Sequence, residues 1–166
     1  MIQHWDTPKH KEIYWVGTIG DGPVGNSGEI KPFVKESSRK GLKFVQKTNL
    51  STQENMRVVR ESYMACAIVG HWQQLEGYIP CRIFKNISYG QYGVTNSKAV
   101  FDLFDRKIVY DRDTRKLFHK AYDMVKQVTL QEQLELMDIV RDKHTYINRI
   151  NLLLDFMQEV YNNACH

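Results

Sequence analysis

The sequence predicts an α+β domain with a small N-terminal sheet region, a central capped helix and a mostly helical C-terminal third. Three observations predict it. Residues 12–17 (Glu-Ile-Tyr-Trp-Val-Gly) and 41–47 carry the aromatic and β-branched content of strands. Ser51-Thr52-Gln53-Glu54 is a capping box, in which the serine oxygen serves the backbone of residue 54 and the glutamate reaches back. From Asp113 onward apolar residues recur at helical spacing, and a second capping box, Thr129-Leu130-Gln131-Glu132, opens a further helix.

Taken in order, residues 1–11 are polar with scattered histidines and read as a loose arm. The strand at 12–17 runs into a loop rich in glycine (Gly17, Gly20, Gly22, Gly25 and Gly28, with Pro23), which is poor material for regular structure. A second strand follows at 41–47. The helix opened by Ser51 carries Met56, Val59, Tyr63, Ala67 and then Trp72 or Leu75 at near-helical spacing, and Gly77 is its natural stop. Ile79 to Ile87 reads as a strand with Pro80 at its start. Ser88 to Asn96 is a turn-rich link, Ser97 to Phe104 a short helix and Lys107 to Tyr110 a short strand. Leu117, Ala121, Met124, Val125 and Val128 then share a helical face. No repeat and no linker interrupts the chain, so residues 1–166 form a single domain.

Composition bounds the function. With 166 residues, 42% hydrophobic and 25% charged, the chain can bury a real core and is neither disordered nor low-complexity. No stretch approaches the ~20 apolar residues that cross a bilayer, and the first residues lack a signal-peptide layout. A cytoplasmic protein is therefore expected. Cys66, Cys81 and Cys165 are odd in number and irregularly spaced, which argues against a disulfide framework. Cys66 and Cys81 read as small hydrophobes in a helix and a strand. No histidine or cysteine pair has zinc-ligand spacing, so neither a metal nor a cofactor is expected.

The net charge of +4 permits a polyanionic partner. One basic group is Lys31, Lys35, Arg39, Lys40, Lys43 and Lys47, interleaved with Phe33 and Phe44 in the manner of a surface that tracks phosphates and stacks bases. A second lies between Arg106 and Lys120.

Two motifs point to chemistry. Tyr92 to Phe104 has the pattern of a helix-turn-helix second half, with Asn96, Ser97, Lys98 and Phe101 placed to meet base edges. Ile108 to Tyr110 and Arg115 to His119 would be the strands of a wing, bringing Arg112, Arg115 and Lys116, together with Arg39 and Lys40, to phosphates. Gly20-Asp21-Gly22-Pro23-Val24-Gly25 matches the glycine pattern of a phosphate loop directly after a strand. Its context is incomplete, because Asn26, Ser27, Gly28 and Pro32 are poor helix material and no carboxylate lies about 20 residues on. Four aspartates (Asp102, Asp105, Asp111 and Asp113) could gather a metal for nuclease work but lack a fixed spacing. Ile147, Ile150, Leu154, Met157 and Tyr161 follow a 3-4-3-4 seam, a candidate homodimer contact within residues 144–161.

The leading expectation is a small nucleic-acid-binding protein, a regulator of winged-helix type. The alternatives are an enzyme acting on a nucleotide or phosphodiester through Gly20, Asp21, Gly22 and Gly25, and a protein-binding inhibitor or adaptor using the C-terminal helices.

Overall fold

The first strand, β1 (Glu12–Val16), buries Ile13 and Trp15 and leaves the residues between them half-buried, the alternation that a pleated strand imposes. It pairs in parallel with β2 (Lys43–Lys47), in register from Glu12 opposite Lys43 to Val16 opposite Lys47. Parallel neighbours require a crossover, and helix α1 (Ser27–Arg39) supplies it. This corrects the expectation that Asn26, Ser27, Gly28 and Pro32 are poor helix material. Pro32 and Gly28 weaken the local propensity, but Ile30 and Phe33 are buried against the C-terminal half of the chain, and that packing decides. Phe33 meets Phe118 edge to face at 5.3 Å. Full burial of such a ring contributes about 1.5–3 kcal/mol. The computed structural model describes residues 11–164, so apart from Lys11 the expected arm at 1–11 lies outside the described residues, as does Cys165.

Helix α2 (Thr52–Glu61) begins as expected. Ser51 Oγ accepts from Glu54 N–H at 3.3 Å, and the Glu54 carboxylate accepts from Ser51 N–H at 3.0 Å. It ends at Glu61, whereas its apolar spacing suggested a run to Leu75. The chain turns extended at Ser62 and forms β3 (Cys66–Ala67). Residues 64–70 are all buried, and a strand covered on both faces shows no polar alternation to set it apart from a core helix. Tyr63 N–H donates to Glu12 O at 2.8 Å and Tyr14 N–H to Ser62 Oγ at 2.9 Å, so this segment lies along the free edge of β1.

Helices α3 (His71–Leu75) and α4 (Cys81–Ser88) follow. The strand expected at 79–87 is thus a helix. Pro80 sits at its N-cap, and Ile83, Phe84 and Ile87 bury one helical face. Then come β4 (Val94–Thr95), α5 (Lys98–Leu103), β5 (Val109–Tyr110), α6 (Thr114–Met124), α7 (Leu130–Lys143) and α8 (Tyr146–Ala164). Asp113 caps α6, so the segment 115–119 is helical and forms no wing strand. Thr129 and Glu132 form the expected capping box of α7.

Strands β3, β4 and β5 pair in parallel, in that order. They form a sheet separate from β1-β2, and the chain leading into β3 runs beside β1 through the Ser62 and Tyr63 contacts. One core gathers Ile13, Trp15, Phe33, Cys66, Ile68 and Phe118; the other gathers Ala67, Ile83, Phe84, Val100, Phe104 and Leu136. Cys66, Ala67 and Ile68 alternate between the two cores, the period of a strand sandwiched by helices. The fold is a mixture of helix and sheet with a helical C-terminal region, in agreement with the α+β expectation. Among the described residues no helix is long and apolar enough to cross a membrane.

Candidate functional site

The chain leaves β1 to build β2 on one edge, and the Ser62–Tyr63 segment, which lies on the other edge of β1, leads into the separate sheet β3-β4-β5. The loops after β1 and β3 therefore diverge, and open parallel sheets hold ligands in the crevice at such a point, beyond the carboxyl ends of the strands. A crevice of about 290 Å³ is found there. Its walls are the glycine loop after β1, the Ile68–Val69 segment after β3, and the chain from Tyr78 to Arg82 leading into α4.

Backbone bonds fix the glycine loop. Gly25 N–H donates to Gly22 O at 3.1 Å, and the N–H groups of Asn26 and Ser27 donate to Gly20 O at 2.9 and 3.0 Å. Asn26 ties the loop to β3: its Oδ1 accepts from Gly20 N–H and its Nδ2 donates to Ile68 O, both at 3.2 Å. That side chain is thereby spent, and α1 starts without a side-chain cap. In its first turn the N–H groups of Ser27, Glu29 and Ile30 are already bonded, to Gly20 O, Asn26 O and Asn26 O, and the positive end of the helix dipole lies beside Asn26 in the crevice wall. A Cβ on Gly25 would stand 2.2 Å from Gly20 O, and one on Gly70 would stand 2.0 Å from Gly25 O. The two loops touch backbone to backbone, and only glycine permits that approach. Asp21 is exposed, and its carboxylate accepts from Ser27 Oγ.

Arg82 is the cation of the site. It enters from the first turn of α4, half-buried, and its Nε and Nη2 both donate to Val16 O at 3.2 Å. The guanidinium carbon lies 3.7 Å from the centroid of the Trp15 ring, a close cation–π contact. Gly17, with φ +123°, lets Nη2 come to 2.7 Å of where a Cβ would be. Burial holds the Arg82 guanidinium below its usual value, and no carboxylate among the described residues pairs with it. The remaining lining is apolar (Val24, Ile68, Pro80) or neutral and polar (Thr18, Asn26, Gln73), with no acid.

The sequence-derived residues fall in several places. Gly20 and Gly25 line the crevice, while Asp21 and Gly22 lie at the exposed tip of the loop. Asn96 and Ser97 are buried, at 1% and 0% exposure. Asn96 bridges Val69 N–H and Val69 O, both at 2.9 Å, and Ser97 caps α5. Lys98 is exposed and ion-paired with Asp102, and Phe101 stacks on Tyr110 at 4.9 Å. Arg112, Arg115 and Lys116 are exposed around the start of α6. Arg39 pairs with Glu36, and the Lys40 ammonium lies over the Tyr122 ring at 5.5 Å. Asn96 and Ser97 thus hold backbone together inside the fold, while the basic residues are spread over its outer surface. Sequence reasoning missed Arg82 because it read that segment as a strand. The signal was present in Pro80 followed by apolar residues at 83, 84 and 87.

Fold and crevice together define a parallel, helix-flanked domain with a glycine loop at its switch point. No protein-family model matches the chain, no curated protein matches its sequence, and no solved structure matches it.

Proposed function

We propose that the chain binds a nucleotide-type phosphate ester in the crevice between β1 and β3. The observation that carries the reading is Arg82, a half-buried guanidinium without a carboxylate partner, facing a glycine loop that opens an uncapped helix. A half-buried cation is costly until an anion joins it. Guanidinium and helix N-terminus both attract phosphate, the first by its fork of donors and the second by the positive end of its dipole. The apolar surface from Val24, Ile68 and Pro80 suits the uncharged part of such a ligand, and the amides of Asn26 and Gln73 offer polar specificity.

The test is thermal unfolding and isothermal titration with ADP, UDP, diphosphate and inorganic phosphate. A nucleotide at about 100 times its Kd stabilises the fold by about 2.7 kcal/mol. Arg82→Gln removes the charge and weakens that binding by about tenfold or more, since a hydrogen bond to a charged group contributes about 1.5–3 kcal/mol. If no nucleotide or phosphate shifts the unfolding of the wild-type chain, the reading is wrong.

A further inference from the structure

Helices α7 and α8 meet at a corner built on His144. Its backbone N–H closes α7 on Val140 O at 3.0 Å. Its ring packs between Phe84 of α4, at 5.3 Å between centroids, and Phe104 at the end of α5, at 5.5 Å. The Nε2 atom of that ring is enclosed and has no hydrogen-bond partner among the described residues. A bare imidazole nitrogen tolerates an apolar wall, but an added N–H there would meet no acceptor and an added charge would lack solvent. Past the corner, Thr145 N–H donates to Asn148 Oδ1 at 2.8 Å, and Asn148 Nδ2 donates to Asp142 O at 2.9 Å. Arg149 sets its guanidinium carbon 5.1 Å from the centroid of the Phe84 ring. Residues 149–163 are all exposed, so what anchors α8 lies in these few residues.

We infer that this corner is an acid-released latch: α8 stays anchored to α4 while the His144 ring is neutral, and a proton on that ring frees it. His144 and Arg149 both meet Phe84, so an imidazolium would bring a second cation to a ring whose cation–π place Arg149 already holds. Lys143, the residue before it on α7, adds a further positive charge, and Asp105, in the turn after α5, is the carboxylate that opposes them. On α4, Lys85 is exposed and Arg82 is committed to Val16 O. On α7, Asp142 is paired with Arg141. Burial first, then Arg149 and Lys143, hold the imidazole below its ordinary 6.5. A histidine lowered in the anchored corner takes its proton more readily once released. Anchorage is therefore full above 6.5 and weakens as pH falls below it, by at most about tenfold per pH unit.

Two measurements on the full chain test this between about pH 8 and about pH 5, the window in which histidine ordinarily titrates. Nuclear magnetic resonance follows the His144 imidazole directly, and its midpoint is expected below 6.5. Hydrogen exchange, corrected for the intrinsic pH dependence of amides, is expected to accelerate several-fold at residues 149–153 as pH falls, while the amides of α2 keep their rates. In His144→Phe, which fills the same place and takes no proton, corrected exchange at the corner is expected to be equal at both ends of the window. A His144 midpoint at or above 6.5 overturns the inference. So does a corner whose corrected exchange is flat in the wild-type chain, or as pH-dependent in His144→Phe as in wild type. If that variant fails to fold, the two wild-type measurements decide.

Discussion

The guanidinium of Arg82 lies 3.7 Å from the Trp15 ring centroid while its Nε and Nη2 share the Val16 carbonyl. One residue of α4 is thus clamped to the end of β1 from two directions, which fixes the cation before any ligand arrives. Arg82→Lys keeps the charge but loses the planar fork and the stacking. Titration with ADP is expected to show affinity about tenfold or more below wild type, with a smaller fall in thermal stability. Wild-type affinity in the lysine variant would mean that the clamp is irrelevant to binding.

The glycines of the two loops should behave unequally. Gly25→Ala forces a Cβ against the Gly20 carbonyl, and the backbone must shift, at a cost of about 1–3 kcal/mol in the manner of overpacked cores. Gly28→Ala meets nothing within 4 Å in the first turn of α1 and is expected to stabilise by up to about 1 kcal/mol. Urea unfolding of the two variants compares them directly.

Asn26→Ala removes the bonds to Gly20 N–H and Ile68 O, leaving half-buried backbone groups unpaired at about 1–3 kcal/mol. The chain is expected to fold with a lower unfolding midpoint, and hydrogen exchange of the amides from Gly20 to Asn26 is expected to accelerate.

Acid should weaken the contact between α1 and α6. Buried Glu36 accepts from Arg39 at 2.6 Å and lies 3.3 Å from His119 Nε2. The hydrogen bond from Arg39, with its charge and His119 adding to it, holds the Glu36 carboxyl below its ordinary 4.5. A carboxyl lowered by folding contributes stability above its unfolded value, and that contribution is lost as pH falls through the folded one. Thermal midpoints should therefore drop as pH descends from 4.5, and Glu36→Gln should show a shallower drop. Parallel curves for the two proteins would remove Glu36 from the account.

The cysteines should separate by reactivity. Burial pushes the Cys66 thiol up to about 12, whereas Cys81 is exposed at the rim of the crevice. Alkylation followed by mass mapping is expected to modify Cys81 in the native state and Cys66 only after unfolding. Saturating nucleotide is expected to slow the reaction at Cys81.

Much of the fold was legible where the signal is local. Ser51 and Thr129 announced their helices because a capping box is a chemical pairing within four residues. The aromatic and β-branched run Ile13-Tyr14-Trp15-Val16 marked β1. Long-range facts were not legible. Met64 to Val69 is apolar on every side, and only its pairing with β4 makes it a strand. The helix at 27–39 hides behind Gly28 and Pro32, since its stability comes from Phe33 meeting Phe118 across the sequence. The glycine loop was visible as a motif. Its partner Arg82 was not, because nothing local links residue 82 to the carbonyl of Val16.

The place of β1 in the sheet also bears on how the chain is made. On the ribosome it is the first of the described strands to emerge, yet it ends with a neighbour on each edge. Its first neighbour, from Lys43, arrives once α1 has been translated, and its second, from Ser62 and Tyr63, arrives later still. A nascent chain paused between the two presents one paired edge and one bare one, and a bare edge will accept a foreign strand as readily as its own. The interval between Lys47 and Ser62, filled by a helix that caps itself, is the window in which a chaperone would matter most.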